Sequence, residues 1–236
     1  MLHIKSAGAT LLLFASLFIG YTLRGQVSDY YKSAVGLSGE QLKTELHNII
    51  DDHIEFPYTS SSEDVWDILK VTDRDTSNPN NVILIYSGRS VDAAQEYNSG
   101  SGWTREHVWA KSRGDFGTSK GAGTDVHHLR PLDAGVNSTR NNRSFDNCIN
   151  CEEVIDNNFA TGSFIDQSQW TFQPPAEVKG DVARMLFYMA VRYEGDNNDQ
   201  DLELDNSIPG QTEKQPFHGK LETLLQWNDE DPVSDW

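Results

Sequence analysis

Four stretches of the chain carry apolar residues at the spacing of an amphipathic helix. The first follows Ser38 and Gln41, whose types and spacing match a capping box. Its apolar positions are Leu42, Leu46, Ile49 and Ile50. Shorter stretches are EDVWDILK (63–70), which the serine run at 60–62 is expected to cap, and GKLETLLQW (219–227). The most regular is VKGDVARMLFYMAVRYEG (178–195), whose apolar face predicts the central helix of the core.

Extended structure is predicted mainly in the middle of the chain. The β-branched run VILIY (82–86) indicates a buried strand, and WTREHVWA (103–110) has the alternation and bulk of a second strand. A glycine-rich surface loop is expected over 114–123, before TDVHHLRPL (124–132) returns to extended structure. The next string, DAGVNSTRNNR (133–143), has poor helix propensity, so tertiary contacts would have to hold any helix there. These elements predict an α+β fold.

The first 25 residues differ from the rest of the chain. Lys5 precedes an uncharged, largely apolar stretch from Ala7 to Leu23, which is the layout of a signal peptide. A retained membrane anchor is the alternative, because the stretch approaches spanning length and no A-x-A cleavage site follows it. We expect residues 1–25 to be removed and one mature domain to cover 26–236, secreted or periplasmic and without membrane attachment.

The two cysteines, Cys148 and Cys151, lie in the stretch NCINC. In an exported protein a local disulfide is the leading interpretation. A redox-active pair would need a thioredoxin-like βαβ setting, which the sequence does not show, and two thiolates cannot complete a zinc site by themselves. Free thiols are the remaining alternative.

Charge is unevenly distributed along the chain, whose formal net charge is −17. An evenly acidic protein would have little affinity for nucleic acid or anionic membranes. Between Trp103 and Phe145, however, seven basic residues outnumber four acidic ones, which gives this segment a net charge of +3. The segment predicts a basic face on an acidic body. The acidic stretch 194–205 resembles a calcium loop in composition only, because it lacks the EF-hand spacing, and a solvated loop is the simpler interpretation.

Within the basic segment, TREHVWAKS (104–112) places Glu106 directly before His107. Imidazole is the side chain whose ordinary pKa suits a base near neutral pH, and a carboxylate is a hard ligand for Mg²⁺, Mn²⁺ or Ca²⁺. Phosphodiester hydrolysis uses both, together with fixed positive charge around the phosphate. A single Glu-His pair on a strand is more often surface decoration than an active site. The neighbouring motifs decide between these interpretations.

Four strings together carry a specific resemblance to the endonuclease I family of exported bacterial nucleases. They are YSGR (86–89), TREHVWAKS (104–112), AGTDVHHLRPLDAGVNSTRNNRSFDN (122–147) and ARMLFYMAVRYEGD (183–196). The resemblance covers most of residues 82–225 and implies a ββα-metal, or His-Me finger, core surrounded by helices. Members of this family usually continue beyond the D-P-V-x-x-W segment, whereas this sequence stops at Trp236, and truncation at the C-terminus is one interpretation of that difference.

The resemblance implies a role for three residues. His107 matches the general base that activates water, and Glu106 matches one metal ligand. The helix asparagine of related motifs lies nine residues after the position of His128, which makes Asn137 the second ligand. If the register differs, the alternatives are Asn141 and Asn142. The implied reaction is one-metal hydrolysis with Mg²⁺, or with Mn²⁺ or Ca²⁺ in its place, and it leaves 5′-phosphates.

Glu106 and His107 must serve one cleft, although successive side chains of a strand point to opposite faces. We therefore predict that the strand kinks or ends at this pair. A regular flat strand from Thr104 to Val108 would contradict the assignment. If the helix at 133–143 offers Asn137 to the metal, removal of the metal should also loosen that helix.

Substrate contacts are expected from cationic side chains. Arg130 is the candidate catalytic cation at the phosphate. The further candidates for nucleic-acid binding are Arg89, Arg105, Lys111, Arg140 and Arg143. Such contacts read the backbone and not the base edges, so binding should depend on salt and little on sequence. The implied partner is DNA, with RNA as a second substrate. The alternative function is a catalytically silent nucleic-acid or metal-binding module of the same fold.

Overall fold

The computed structural model describes residues 29–196 and 198–233. Five α-helices lie in this part of the chain: α1 (Gly39–Ile50), α2 (Val65–Thr72), α3 (Ala134–Arg140), α4 (Lys179–Arg192) and α5 (Leu221–Glu230). Its ten strands are β1 (Asn81–Ile83), β2 (Ser90–Asp92), β3 (Trp103–His107), β4 (Leu129–Asp133), β5 (Ser144–Phe145), β6 (Glu152–Asp156), β7 (Phe159–Asp166), β8 (Thr171–Gln173), β9 (Glu203–Asp205) and β10 (Phe217–Lys220). The strands form three pairs and one four-stranded sheet, so the prediction of a mixed α+β fold is confirmed.

The predicted helices are present, but the first two begin differently from the prediction. Ser38 precedes α1 with an extended backbone, yet its side chain makes no capping hydrogen bond, so the capping box predicted with Gln41 was wrong. The cap of α2 is Asp64 and not a residue of the serine run. Its carboxylate accepts from the backbone N–H of Trp66, and the Asp67 carboxylate accepts from the backbone N–H of Asp64. Acidic groups at this end also offset the positive helix terminus.

The run VILIY is buried, as predicted, but only its start is a strand. β1 pairs with β2 in antiparallel order, and the chain leaves this pair after Ile83. The backbone N–H groups of Ser87 and Gly88 both donate to the carbonyl oxygen of Leu84, which closes a tight turn. Gly88 has a φ of +62° there, a conformation that glycine adopts without strain. Tyr86 is fully buried in this turn and points into the core.

β3 and β4 form an antiparallel pair along their whole length, with His107 opposite Leu129. α3 follows β4 without a connecting loop and packs against both strands. Residues 133–143, whose helix propensity is poor, therefore do contain a helix. Fully buried Val136 anchors it, because packing outweighs poor propensity. β3 ends at His107 and Val108 lies in a bend, so the prediction that the strand ends at this pair is confirmed.

The segment 124–132 is extended only within β4, and this part of the prediction was wrong. Its first half makes a turn in which the N–H of His128 donates to the carbonyl oxygen of Asp125. The Asp125 carboxylate accepts from the backbone N–H of His127 and fixes the same turn. The glycine-rich loop before it, predicted to lie on the surface, is buried at residues 121–123. These buried residues lie against the end of β3, where Gly123 contacts His107.

A four-stranded sheet in the order β5-β8-β7-β6 follows α3 and was not predicted. β5 pairs with β8 in parallel, and the other neighbours pair antiparallel. Its strands are short or rich in polar residues, so the alternation that marks a strand is faint in the sequence. Cys148 and Cys151 lie between β5 and β6 and are joined by a disulfide, with their Cα atoms 5.4 Å apart.

Two clusters of buried apolar residues fill the described part of the chain. The larger one surrounds α4, where Leu186 and Met189 are fully buried, and α5 packs against α4 through Leu224 and Trp227. The smaller one lies between α2, β1 and β3 and is centred on Leu69. Truncating a fully buried leucine such as Leu186 to alanine would cost roughly 2–5 kcal/mol of stability.

No helix within residues 29–196 and 198–233 has the length and apolar character needed to cross a bilayer. The signal peptide predicted at residues 1–25 lies outside the described residues. The boundaries of the mature domain stay a prediction.

Candidate active site

A cleft of about 500 Å³ opens where β3 ends beside α3. Glu106, His107 and Asn137 all line it, so the structure brings together the residues assigned to the base and the metal. Two tyrosines from loops, Tyr58 before α2 and Tyr97 before β3, complete its rim. Both Glu106 and His107 line the cleft although they are successive residues, and His107 is the last residue of β3.

His107 is buried, and its ring is held in one orientation. Its Nε2 lies 3.0 Å from the carbonyl oxygen of Gly123. Since a carbonyl oxygen can only accept, Nε2 carries the ring proton and Nδ1 keeps a lone pair. Tyr58 stacks on the ring, with centroids 5.6 Å apart and planes inclined by 28°. This arrangement makes Nδ1 the atom that can take a proton.

The pKa of His107 lies well below its ordinary value of 6.5. Burial is the main cause, because loss of water penalises the charged ring, and nearby His128 acts in the same direction. Burial also lowers the pKa of His128, to about 4. His107 is therefore neutral at pH 7, which is the form that a general base requires.

Glu106 is buried beside His107, and its charge is compensated. The hydroxyl of Tyr86 donates to Oε1 across 3.1 Å, and Nε of Arg140 lies 3.3 Å from the same oxygen. Burial raises the pKa of Glu106 above its ordinary value, although Arg140 and Tyr86 both act to lower it. Oε2 receives no hydrogen bond from the described residues, so it is the oxygen left for a cation in the cleft.

Asn137 projects from the middle of α3. Its Nδ2 donates to the carbonyl oxygen of Arg105 across 3.4 Å, which leaves Oδ1 without a donor among the described residues. Asn141 and Asn142 also line the cleft, but their side-chain oxygens are engaged. Asn141 Oδ1 accepts from the backbone N–H of Asn142, and Asn142 Oδ1 accepts from the indole N–H of Trp170. The geometry thus favours Asn137, whose role as a ligand stays a prediction.

This donor set fits a hard divalent cation. Glu106 Oε2 and Asn137 Oδ1 are oxygen atoms, which Mg²⁺, Mn²⁺ and Ca²⁺ prefer as ligands. Mg²⁺ in particular binds through one or two protein oxygens and keeps several waters. A cleft of about 500 Å³ has room for those waters and for a phosphate.

Three of the predicted substrate-binding cations line the cleft, namely Arg105, Lys111 and Arg140. The Arg105 guanidinium lies between two rings, 3.4 Å from the centroid of Tyr58 and 4.0 Å from that of Trp66. Arg140 is buried in its ion pair with Glu106 and donates to the carbonyl oxygens of His107 and Val108. Lys111 is exposed. Arg105 and Arg140 are therefore engaged within the fold and Lys111 is exposed at the cleft, while contact of all three with substrate stays a prediction.

Arg89, Arg130 and Arg143 do not line this cleft. Arg89 donates to Asp133 across 2.7 Å, and Arg130 lies 3.6 Å from Asp73. Arg143 donates to a backbone carbonyl and to a glutamine side chain and stacks on a tryptophan ring. All three are engaged within the fold, so their contact with substrate, and the catalytic role of Arg130, stay predictions.

Sequence reasoning did not single out Gly123, Tyr58 or Tyr97. At Gly123 an added Cβ would lie 2.6 Å from the carbonyl oxygen of Ser119, so only glycine fits where the carbonyl orients His107. Its place directly before the T-D-V-H-H string was the available signal. The two tyrosines lie in loops without a motif, and no local pattern marks them.

Comparison with known proteins places the chain in a family. It matches the family model described as Endonuclease I over residues 38–236, which include the whole cleft. It is 50% identical over 206 residues to a protein of Bacillus subtilis (strain 168) named extracellular ribonuclease, a match that covers 87% of this chain and 67% of that protein. A Bacillus amyloliquefaciens protein of the same name is 47% identical over 232 residues, covering 98% and 76%. The chain therefore belongs to the endonuclease I family.

Proposed function

We propose that the protein is an exported endonuclease that uses a divalent metal to hydrolyse phosphodiester bonds of DNA and RNA, with little dependence on base sequence. The observation that carries the proposal is the meeting of Glu106, His107 and Asn137 in one cleft. We interpret β3, β4 and α3 as the ββα-metal core expected of the family. The relatives named extracellular ribonuclease support both export and activity on RNA.

His107 is the general base in this proposal. Its Nε2 is tied to Gly123, so Nδ1 takes a proton from water as the water oxygen attacks phosphorus. The bond between phosphorus and the 3′ oxygen breaks, and the 3′ oxygen gains a proton from solvent. The phosphate stays on the 5′ end of the product. Because its pKa is low, His107 is already neutral when the substrate binds.

Glu106 and Asn137 are the residues that would hold the metal. A divalent ion there would stabilise the negative charge that develops on the leaving 3′ oxygen. Arg140 acts against the rise in the pKa of Glu106 that burial causes, and so favours the ionised carboxylate. The carbonyl oxygen of Arg105 accepts from Asn137 Nδ2 and so turns Oδ1 toward the cleft. These contacts with Arg140 and with the Arg105 carbonyl thus orient both proposed oxygen ligands.

The proposed tolerance of both nucleic acids rests on what lines the cleft. Lys111 offers charge to phosphates, and exposed Tyr97 offers ring surface on which bases of any kind can stack. Neither type of contact requires a 2′-OH or a particular base edge. Cleavage should therefore weaken with salt and depend little on sequence.

The test uses the chain from Gln26 onward with supercoiled plasmid and single-stranded RNA, in Mg²⁺ and in EDTA. We expect cleavage of both only with metal, and product ends that polynucleotide kinase labels only after phosphatase treatment, because they carry 5′-phosphates. Glu106→Gln should lose cleavage, whereas Glu63→Gln, a change at an exposed position outside the cleft, should keep it. A folded wild-type protein that cuts neither substrate would instead support the silent-module alternative.

A further inference from the structure

His47, Asp51 and Asp196 lie together outside the cleft and take no part in the proposed hydrolysis. One ligand atom from each residue lies within 4.8 Å of the other two. His47 belongs to α1, Asp51 follows the end of α1, and Asp196 follows α4. The cluster therefore connects two parts of the chain that are far apart in sequence.

The ring of His47 is oriented like that of a metal-ligating histidine. The residue is buried, and its Nδ1 lies 3.0 Å from the carbonyl oxygen of Val191, which can only accept. Nδ1 therefore carries a proton, and Nε2 faces Asp196 at 3.1 Å from Oδ2. A backbone carbonyl that fixes one ring nitrogen and presents the other is the usual support of a histidine ligand.

Without a metal ion, the same contact requires a proton on Nε2. Burial acts to lower the pKa of His47, but the hydrogen bonds with Asp196 and Val191 raise it above its ordinary value overall. A cation bound at Nε2 would take the place of that proton, and the ring would not need to move.

The surroundings of the cluster are acidic. The segment 194–205 contains six acidic residues and no basic one. Arg192 compensates part of this charge, with Nη1 2.9 Å from Asp51 Oδ1 and 3.6 Å from Asp199 Oδ2. A carboxylate has two oxygens, so Asp51 can pair with Arg192 and still offer an oxygen to a metal. The excess of carboxylates favours a divalent cation at this place.

We propose that His47, Asp51 and Asp196 bind a divalent transition-metal ion of the Zn²⁺ type. One imidazole nitrogen and two carboxylate oxygens suit Zn²⁺, whereas Ca²⁺ and Mg²⁺ take oxygen ligands. Tetrahedral Zn²⁺ with bonds near 2.0 Å holds its ligands about 3.3 Å apart. The 3.1 Å between His47 Nε2 and Asp196 Oδ2 is close to that value, and the Asp51 ligand atom lies within 4.8 Å of the other two.

The bound ion ties the end of α1 to the segment after α4. Because the native fold brings its ligands together and an unfolded chain does not, binding stabilises the folded state. The acidic segment 194–205, which has only the composition of a calcium loop, thereby contributes a ligand to a different kind of site.

Equilibrium dialysis against Zn²⁺, with metal content and thermal unfolding as readouts, tests the proposal. The protein used is the mature chain carrying Asn137→Ala, which lacks one proposed ligand of the cleft. We expect one Zn²⁺ per chain and an increase in Tm, with Ca²⁺ giving neither. Adding Asp196→Asn should weaken Zn²⁺ binding about tenfold or more. Asp196 is exposed, so this change leaves the core intact.

The matched control is Asp229→Asn, another exposed aspartate, which should bind Zn²⁺ as before. Zinc affinity that is unchanged by Asp196→Asn, or absent from the starting protein, would overturn the proposal. Binding of Ca²⁺ in preference to Zn²⁺ would overturn the assigned class of ion. None of these outcomes bears on the proposed hydrolysis, since cleavage is not the readout.

Discussion

His107 Nε2 lies 3.0 Å from the carbonyl oxygen of Gly123, so the backbone of a buried loop decides which nitrogen of the His107 ring carries the proton. The same loop is held by His128, whose Nε2 donates to the carbonyl oxygen of Ala122 across 2.8 Å. His128 Nδ1 in turn accepts from the backbone N–H of Trp109, two residues beyond His107. The tautomer of the His107 ring is thus set by residues that do not line the cleft.

Gly123→Ala should reduce cleavage by about 100-fold in a protein that still folds. An added Cβ would lie 2.6 Å from the carbonyl oxygen of Ser119, so the loop must shift and carry its own carbonyl away from His107. Overpacking costs about 1–3 kcal/mol, and a misplacement of about 1 Å costs about 10²-fold in rate. The measurements are kcat and urea unfolding on one sample.

The control for this change is Gly210→Ala, where the Cβ meets only a flexible Glu213 side chain at 3.4 Å. It should leave rate and stability unchanged. Normal cleavage by folded Gly123→Ala would contradict the role given to the Gly123 carbonyl.

His128→Gln should become less damaging to stability as the pH falls. Burial holds the pKa of His128 at about 4 in the folded protein, against 6.5 ordinarily. Below pH 6.5 the unfolded chain therefore binds a proton that the folded protein rejects, and the wild type loses stability. Between pH 7 and pH 5 this loss is about 2 kcal/mol, and the glutamine variant does not share it.

Urea unfolding of both proteins at the two pH values measures this effect. The comparison of wild type with variant cancels the contributions of other titrating groups to stability. One of them is Asp73: burial raises its pKa to about 6, and its titration changes stability in the opposite sense. A stability difference between wild type and variant that is the same at both pH values would show that His128 titrates normally.

Mg²⁺ should slow amide hydrogen exchange in α3. The helix has weak intrinsic propensity, and in the proposed site Asn137 links it to the ion. At 100 times Kd a ligand stabilises the folded state by about 2.7 kcal/mol, so exchange should slow by up to about 100-fold. In the Asn137→Ala variant, the amides of α3 should exchange equally fast with and without Mg²⁺. In Ser138→Ala, a change at the next and exposed position, Mg²⁺ should still slow the exchange. An undiminished response in Asn137→Ala would exclude it as a ligand.

Two cations of the cleft should behave differently when removed. Arg140→Met deprives buried Glu106 of its counter-charge and should cost about 3–5 kcal/mol of stability. Lys111→Ala removes an exposed charge and should leave stability within about 0.5 kcal/mol. It should instead weaken DNA binding and reduce the slope of log Kd against log salt by about 0.9, the value for one phosphate contact.

Binding is measured in EDTA on the His107→Ala background, so that no cleavage occurs. Lys120→Ala is the matched control, because Lys120 is exposed and lies outside the cleft. An equal change of slope for Lys111→Ala and Lys120→Ala would mean that binding is not localised at the cleft.

The sequence predicted those features whose signal is local. The apolar face of α4 predicted a core helix, and Leu186 and Met189 are fully buried on it. Glu106 and His107 are successive residues that must serve one cleft, and this requirement predicted the end of β3. Helix propensity alone could not decide whether α3 forms, because packing against β3 and β4 holds this helix.

The features that could not be predicted depend on contacts between distant residues. The four-stranded sheet needs pairing between short polar strands that have no strong pattern of their own. The ion pair of Arg140 with Glu106 at 3.3 Å was not predicted, since only the folded chain shows which carboxylate an arginine meets, and its contact with a phosphate stays a prediction. The support of His107 by Gly123 is likewise a contact across a folded loop.

The most direct test of the account is the single-turnover cleavage rate of His107→Ala at saturating Mg²⁺, measured beside wild type with plasmid and with RNA. We predict a loss of about 10²–10⁴-fold on both substrates, because general-base catalysis contributes that much. Circular dichroism and metal-dependent stability should be unchanged, since Glu106 and Asn137 remain in place. A rate within about tenfold of wild type, on protein with unchanged folding, would contradict His107 as the base and with it the proposed site.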